Sequence, residues 1–93
     1  ELGGKSAQIV FADADLDKAL RGAMMVWTFH TGQICIAGTR LLVEQTIYDA
    51  FTQRLAAASR AIVIGDPGAA DTVMGPLVSA AQRARVEHYV AQG

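Results

Sequence analysis

A lone cysteine is the residue of this 93-residue chain best suited to covalent chemistry. It stands within Thr31-Gly32-Gln33-Ile34-Cys35-Ile36-Ala37-Gly38-Thr39-Arg40, bracketed by glycines. A helical pattern precedes it and a strand pattern follows it, so Cys35 falls on a connection. Connections carry function because rigid elements aim them, and a thiolate is a strong nucleophile near neutral pH. The competing reading is packing, since a free cysteine also behaves as a small buried hydrophobe. A second stretch of interest opens the chain: Glu1-Leu2-Gly3-Gly4-Lys5-Ser6. Paired glycines allow positive φ or a close backbone approach to a ligand. The stretch is neither G-x-G-x-x-G nor G-x-x-x-x-G-K-[ST], and by itself it reads as a turn.

The remaining polar residues point to structure. Asp13 and Asp15 precede a helical pattern, and either can cap its free N–H groups; Asp17 adds negative charge at the positive end of the helix dipole. They supply too few oxygens at the wrong spacing for a calcium loop, and no metal site is expected. His30 falls in the last turn of that helix, a position that suits a cap or surface residue. Arg83, Arg85, Glu87 and His88 read as the solvated face of a later helix.

The elements that would place these residues follow from hydrophobic spacing. Gln8-Ile9-Val10-Phe11 is short, apolar and β-branched, and predicts a strand buried on both faces. Leu16, Leu20, Ala23, Met24 and Trp27 recur at three and four, one face of a helix from about residue 15 to about residue 30. Gly32 suits its left-handed stop. Arg40-Leu41-Leu42-Val43-Glu44 predicts a second strand, so residues 8–44 form a βαβ unit with parallel pairing and a right-handed crossover. Thr46 is the expected cap of a second helix, with Asp49 as its capping-box partner and Ile47, Tyr48, Phe51, Leu55, Ala58 and Ile62 as its buried stripe. Residues 61–64 continue that helix or form a short strand, and Gly65-Asp66-Pro67-Gly68 ends it. Ser79 and Gln82 form a capping box for a last helix, with Val86, Tyr89 and Val90 facing inward.

Composition narrows the function classes. Hydrophobic residues make up 52% and charged residues 18% of the chain. So much apolar material in so short a chain is expected to pack against another domain or another copy, as in a piece of a longer protein. The net charge is −1 and Lys and Arg form no block, which argues against a nucleic-acid partner. The apolar runs fall short of the ~18 residues that span a bilayer, so no membrane partner is expected. One cysteine makes no internal disulfide, which suits a reducing, cytoplasmic setting.

Two stretches together resemble the NAD(P)-dependent aldehyde dehydrogenase superfamily. Glu1-Leu2-Gly3-Gly4-Lys5-Ser6 is similar to its glutamate motif. Gly32-Gln33-Ile34-Cys35-Ile36-Ala37-Gly38 with Arg40 is similar to its cysteine motif, at the family's separation. Ile9 to Asp17, Ile47-Tyr48-Asp49, Gly65-Asp66-Pro67 and Met74-Gly75-Pro76-Leu77 resemble it too, so the likeness runs the length of the chain. Thr28 and His30 depart from it: the family usually has an aromatic or aliphatic residue at the first and often Asn at the second.

The resemblance implies a partial catalytic domain over residues 1–93: an α/β, three-layer-type βαβ unit with parallel strands and three helices. It implies that Cys35 adds to an aldehyde to give a thiohemiacetal, that hydride passes to NAD or NADP, and that Glu1 activates the water that hydrolyses the thioester. The Cys35 backbone N–H would form half of an oxyanion site, whose side-chain donor lies outside these residues. Leu2 and Gly3 match positions beside the nicotinamide. The negative end of the preceding helix does not help to form a thiolate. Activation must come from a base, a bound cofactor's positive charge or a following turn. Family members are usually dimers or tetramers, so a homo-oligomer is expected. The cofactor domain is absent from this stretch, and the fragment alone is expected to be inactive. The alternative is a non-catalytic association module in which Cys35 is buried and structural.

Overall fold

Two parallel strands hold the start of the chain beside the residues that follow the cysteine. The computed structural model describes residues 2–93; the expected base, Glu1, lies outside the described residues. Strand β1 (Ala7–Val10) pairs with β2 (Arg40–Val43) in parallel, Ala7 opposite Arg40 and Val10 opposite Val43. Between them runs helix α1 (Leu16–Thr28); helices α2 (Tyr48–Arg60) and α3 (Ala80–Gln92) follow. The α/β fold with parallel strands and three helices is therefore as the sequence predicts.

The core lies on one face of the sheet. Val10, Ala23 and Phe51 are buried together, and Leu16, Leu20, Leu41, Val43, Ile47 and Leu55 pack around them. The other face is bare: Ile9 and Phe11 are each 61% exposed and Leu42 54%. This corrects the expectation of a strand covered on both faces. In a strand successive side chains alternate, and the described residues furnish a helical layer for only one side.

Caps explain where the helices begin. Asp15 Oδ1 accepts from the N–H groups of Asp17 and Lys18, both at 3.1 Å, and starts α1. These bonds, led by the one from the Lys18 backbone, hold the Asp15 carboxyl below its ordinary pKa. Asp17 also pairs with Arg54 of α2, which ties the two helices. Ser79 Oγ accepts from the Gln82 N–H at 3.1 Å and starts α3 as expected. Thr46 does not cap α2. Its hydroxyl donates to Glu44 Oε1 at 2.9 Å, and a 3-10 turn over Gln45–Ile47 leads into the helix without a side-chain cap. Residues 61–64 leave the helix, and Ile64 forms an isolated parallel bridge with Met74.

Glu44 also joins the far ends of both strands. Its Oε2 accepts from the Ala12 N–H at 2.8 Å, and its own N–H donates to Val10 O at 2.9 Å. The Ala12 bond, followed by that from Thr46, lowers the carboxyl pKa from its ordinary 4.5. A carboxylate with a lowered folded-state pKa stabilises the fold above its unfolded pKa and loses that contribution as pH falls through the folded value. In the intact protein, Glu44→Gln should lower the denaturant midpoint at pH 7. The gap to wild type should close as the pH drops below 4.5; a gap of constant size from pH 7 to pH 3 would refute it.

Phe51, at 1% exposure, fills the junction of α1, α2 and the sheet. Phe51→Ala should cost about 3–5 kcal/mol, measured by denaturant unfolding of the intact protein, with a loss under about 1 kcal/mol counting against its central place.

Candidate functional site

The turn that carries Cys35 is built from an unusual backbone. Helix α1 ends at Thr28, earlier than its apolar spacing suggests, with the Phe29 N–H bonded to Met25 O. His30, Thr31 and Gly32 then take φ of 48°, 58° and 73°. This left-handed conformation is disfavoured for residues with a Cβ, and least so for Asn among them. Histidine itself is among the residues that tolerate it better than most. Gly32 is left-handed as expected, but the reversal begins two residues before it. His30 caps nothing with its ring, which stands edge-on to Phe29 with centroids 4.6 Å apart.

Side chains hold this turn from two directions. Gln33 Nε2 donates to His30 O at 3.0 Å, and the Gln33 N–H donates to the same oxygen at 3.1 Å. Gln33 Oε1 accepts from the Val78 N–H at 3.0 Å, and the Thr31 hydroxyl donates to Gly75 O at 3.2 Å. The loop before α3 is thereby fastened to the cysteine turn. From the other side, Arg40 Nε donates to Lys5 O at 2.7 Å and the Arg40 N–H to Ser6 O at 3.2 Å.

The chain's opening residues meet Cys35 by direct backbone contact. A Cβ placed on Gly4 would overlap the Cys35 carbonyl oxygen and stand 2.9 Å from its carbonyl carbon. The glycine at this position is required by that approach. Gly3, Gly4, Lys5, Gln33, Cys35 and Thr39 all border one open cleft with room for about 910 Å³ of solvent. Gln82, Val86 and Tyr89 of α3 border it too. Cys35 is a free, exposed cysteine and takes no part in the core formed by Val10, Ala23 and Phe51.

Of the residues named from sequence, the structure brings Gly3 and Cys35 to one cleft. Leu2 is fully exposed. The inward face expected for α3 is a correction: Val86 is 40% exposed, Tyr89 67% and Val90 74%. Gln82, Val86 and Tyr89 do form a stripe at helical spacing, but it borders the cleft and not a core. The roles of Gln33, Thr31 and Val78 escape sequence reasoning, because hydrogen bonds between distant segments leave no periodic signal. Among the described residues no group of three or more His, Cys, Asp or Glu could hold a metal ion, and no helix is long and apolar enough to cross a membrane.

This geometry accompanies a family match over the whole chain: residues 1–93 fit the model of the aldehyde dehydrogenase family. The chain belongs to that family. It is 54% identical over 93 residues to a betaine aldehyde dehydrogenase of Sinorhizobium fredii, covering 100% of this chain and 19% of that protein. A crystal structure of betaine aldehyde dehydrogenase from Staphylococcus aureus in complex with NAD+ matches 98% of this chain with a TM-score of 0.94 and 43% identity, over 18% of its own length. An NAD-dependent aldehyde dehydrogenase from Sinorhizobium meliloti matches with a TM-score of 0.92 and 47% identity, covering 98% of this chain and 18% of its own. The chain thus spans about a fifth of the curated relatives it matches.

The close packing at Gly4 gives a direct test. Gly4→Ala in the intact protein should displace the Cys35 turn and change its alkylation rate by iodoacetamide by about threefold or more, since a moved thiol changes its exposure and its surroundings. An unchanged alkylation rate would show that the contact does not fix the cysteine.

Proposed function

We propose that this chain is part of the catalytic domain of an enzyme that oxidises an aldehyde to a carboxylic acid with NAD or NADP, with Cys35 as nucleophile and Glu1 as general base. The observation that carries the reading is the seating of the glutamate-motif backbone on the Cys35 backbone, in a chain that matches the family throughout. Gly3, Gly4 and Lys5 border the same cleft as Cys35, which supports the reading. The names of the relatives make betaine aldehyde the first substrate to assay.

The cleft suits the reacting end of a dinucleotide. Gly3 has a φ of 76°, a Cβ there would meet nothing within 4 Å, and the residue borders the cleft. Leu2 and Gly3 would hold the nicotinamide end; the described residues include no phosphate-binding glycine loop. The cofactor, when bound, accepts the hydride. Cys35 attacks the carbonyl carbon, and its backbone N–H faces the developing oxyanion. After oxidation Cys35 holds the acyl group as a thioester. Glu1 takes a proton from the water that attacks it, which frees the acid and restores the thiol. The NAD+-bound Staphylococcus aureus enzyme supports NAD before NADP, and a point mutant of that enzyme has been crystallised with a BME-modified cysteine, which speaks for a reactive thiol in a relative.

The bare apolar face of Ile9, Phe11 and Leu42 supports association, with further parts of the protein or with other copies as a dimer or tetramer. A free thiol suits the cytoplasm. Residues 1–93 made alone should not oxidise aldehydes, because most of the cofactor site lies elsewhere.

Cys35→Ala and Cys35→Ser should lower the activity of the intact protein by about a thousandfold or more. Glu1→Gln should keep a rapid first turnover of reduced cofactor while the steady state slows, as thioester hydrolysis becomes limiting. Full activity without Cys35 would overturn the nucleophile; equal burst and steady-state rates in wild type and Glu1→Gln would overturn the base.

A further inference from the structure

Gln33 joins the cysteine turn to Val78, in the segment leading directly into α3, beside the Thr31 bond to Gly75 O. It makes two different bonds, one in each direction: Nε2 to His30 O at 3.0 Å and Oε1 from the Val78 N–H at 3.0 Å. The residue beyond Val78 is Ser79, the cap of α3. The next turn presents Gln82, Val86 and Tyr89 to the cleft that Cys35, Gly3 and Gly4 border. Gln33 thus sits at the joint between the two walls. It is exposed, and neither of its partners belongs to the core. The fold does not depend on it for burial, which leaves its bonds with a geometric role.

We propose that Gln33 is a positioning residue: by clamping Val78 to the left-handed turn at His30, it sets the α3 wall of the cleft and the orientation of Cys35 together. The inference rests on the reading of Cys35 as the nucleophile. The clamp has a further consequence for the turn itself. His30 and Thr31 hold a backbone that side chains with a Cβ adopt reluctantly. The two bonds Gln33 donates to His30 O, with that of Thr31 to Gly75 O, offset this tendency. Loss of the clamp frees the turn to relax, and the nucleophile with it.

Two substitutions of similar bulk separate the roles. Gln33→Met removes both bonds. Gln33→Glu keeps an oxygen to accept from Val78 and loses the side-chain donor to His30. In the intact enzyme, with NAD+ and betaine aldehyde, Gln33→Met should lower kcat by about ten- to a hundredfold with KM for the aldehyde within about threefold. Gln33→Glu should recover most of that loss. Iodoacetamide labelling of Cys35 without cofactor should slow in the same order, while the melting temperatures of both variants stay within about 2 °C of wild type, as befits exposed positions. A Gln33→Met enzyme within twofold of wild type in both kcat and labelling rate would overturn the proposal, as would a Gln33→Glu enzyme no better than Gln33→Met. Cys35→Ala serves as the control that keeps the two failures apart. If it abolishes activity while Gln33→Met changes nothing, only the clamp is refuted; if it leaves activity intact, the nucleophile and the clamp fall together.

Discussion

The site depends on one steric fact: two stretches of backbone touch where no side chain can stand between them. Gly4 lies against the carbonyl of Cys35, and the two parallel strands bring them there. Strand β1 leaves the glycines, α1 returns the chain to the same end of the sheet, and β2 starts beyond the cysteine. A parallel pair needs such a crossover, so the separation of the two motifs in sequence is the length of one strand and one helix with their connections. Arg40 then locks the arrangement, since it bonds the carbonyls of Lys5 and Ser6 from the first residue of β2.

Hydrogen bonds between loops do the finer work. The cysteine turn has no regular structure of its own, and a loop without partners would sample many conformations. Here Thr31, Gln33 and Arg40 connect it to three separate places: the loop at Gly75, the approach to α3 at Val78 and the opening segment at Lys5. In the proposed role of Cys35 such fixation would count, because an attack must follow a narrow approach.

Much of this was legible in the residues. The alternation of apolar runs and helical stripes predicts both strands and all three helices, and the Ser79 cap follows from residue type; for the first helix residue type leaves Asp13 and Asp15 open, and the fold uses Asp15. The failures have physical reasons. Thr46 could serve either the helix or Glu44, and only the folded position of Glu44 decides. Val86 and Tyr89 form a helical stripe, but periodicity says that a face is distinct, not what it faces. The run of φ above zero at His30 and Thr31 is not marked locally either: His tolerates this region better than most residues, but the β-branched Thr does not, and tertiary bonds hold it there.

The uncovered side of the sheet bears on any effort to use this stretch as a portable unit. Ile9, Phe11 and Leu42 present oily side chains to water on a two-stranded ribbon whose outer edges carry unpaired backbone groups. Transplanted into a foreign scaffold, the stretch would need a matching roof over those three residues, or polar replacements there. Without either it would stick to its own kind before its thiol met any reagent.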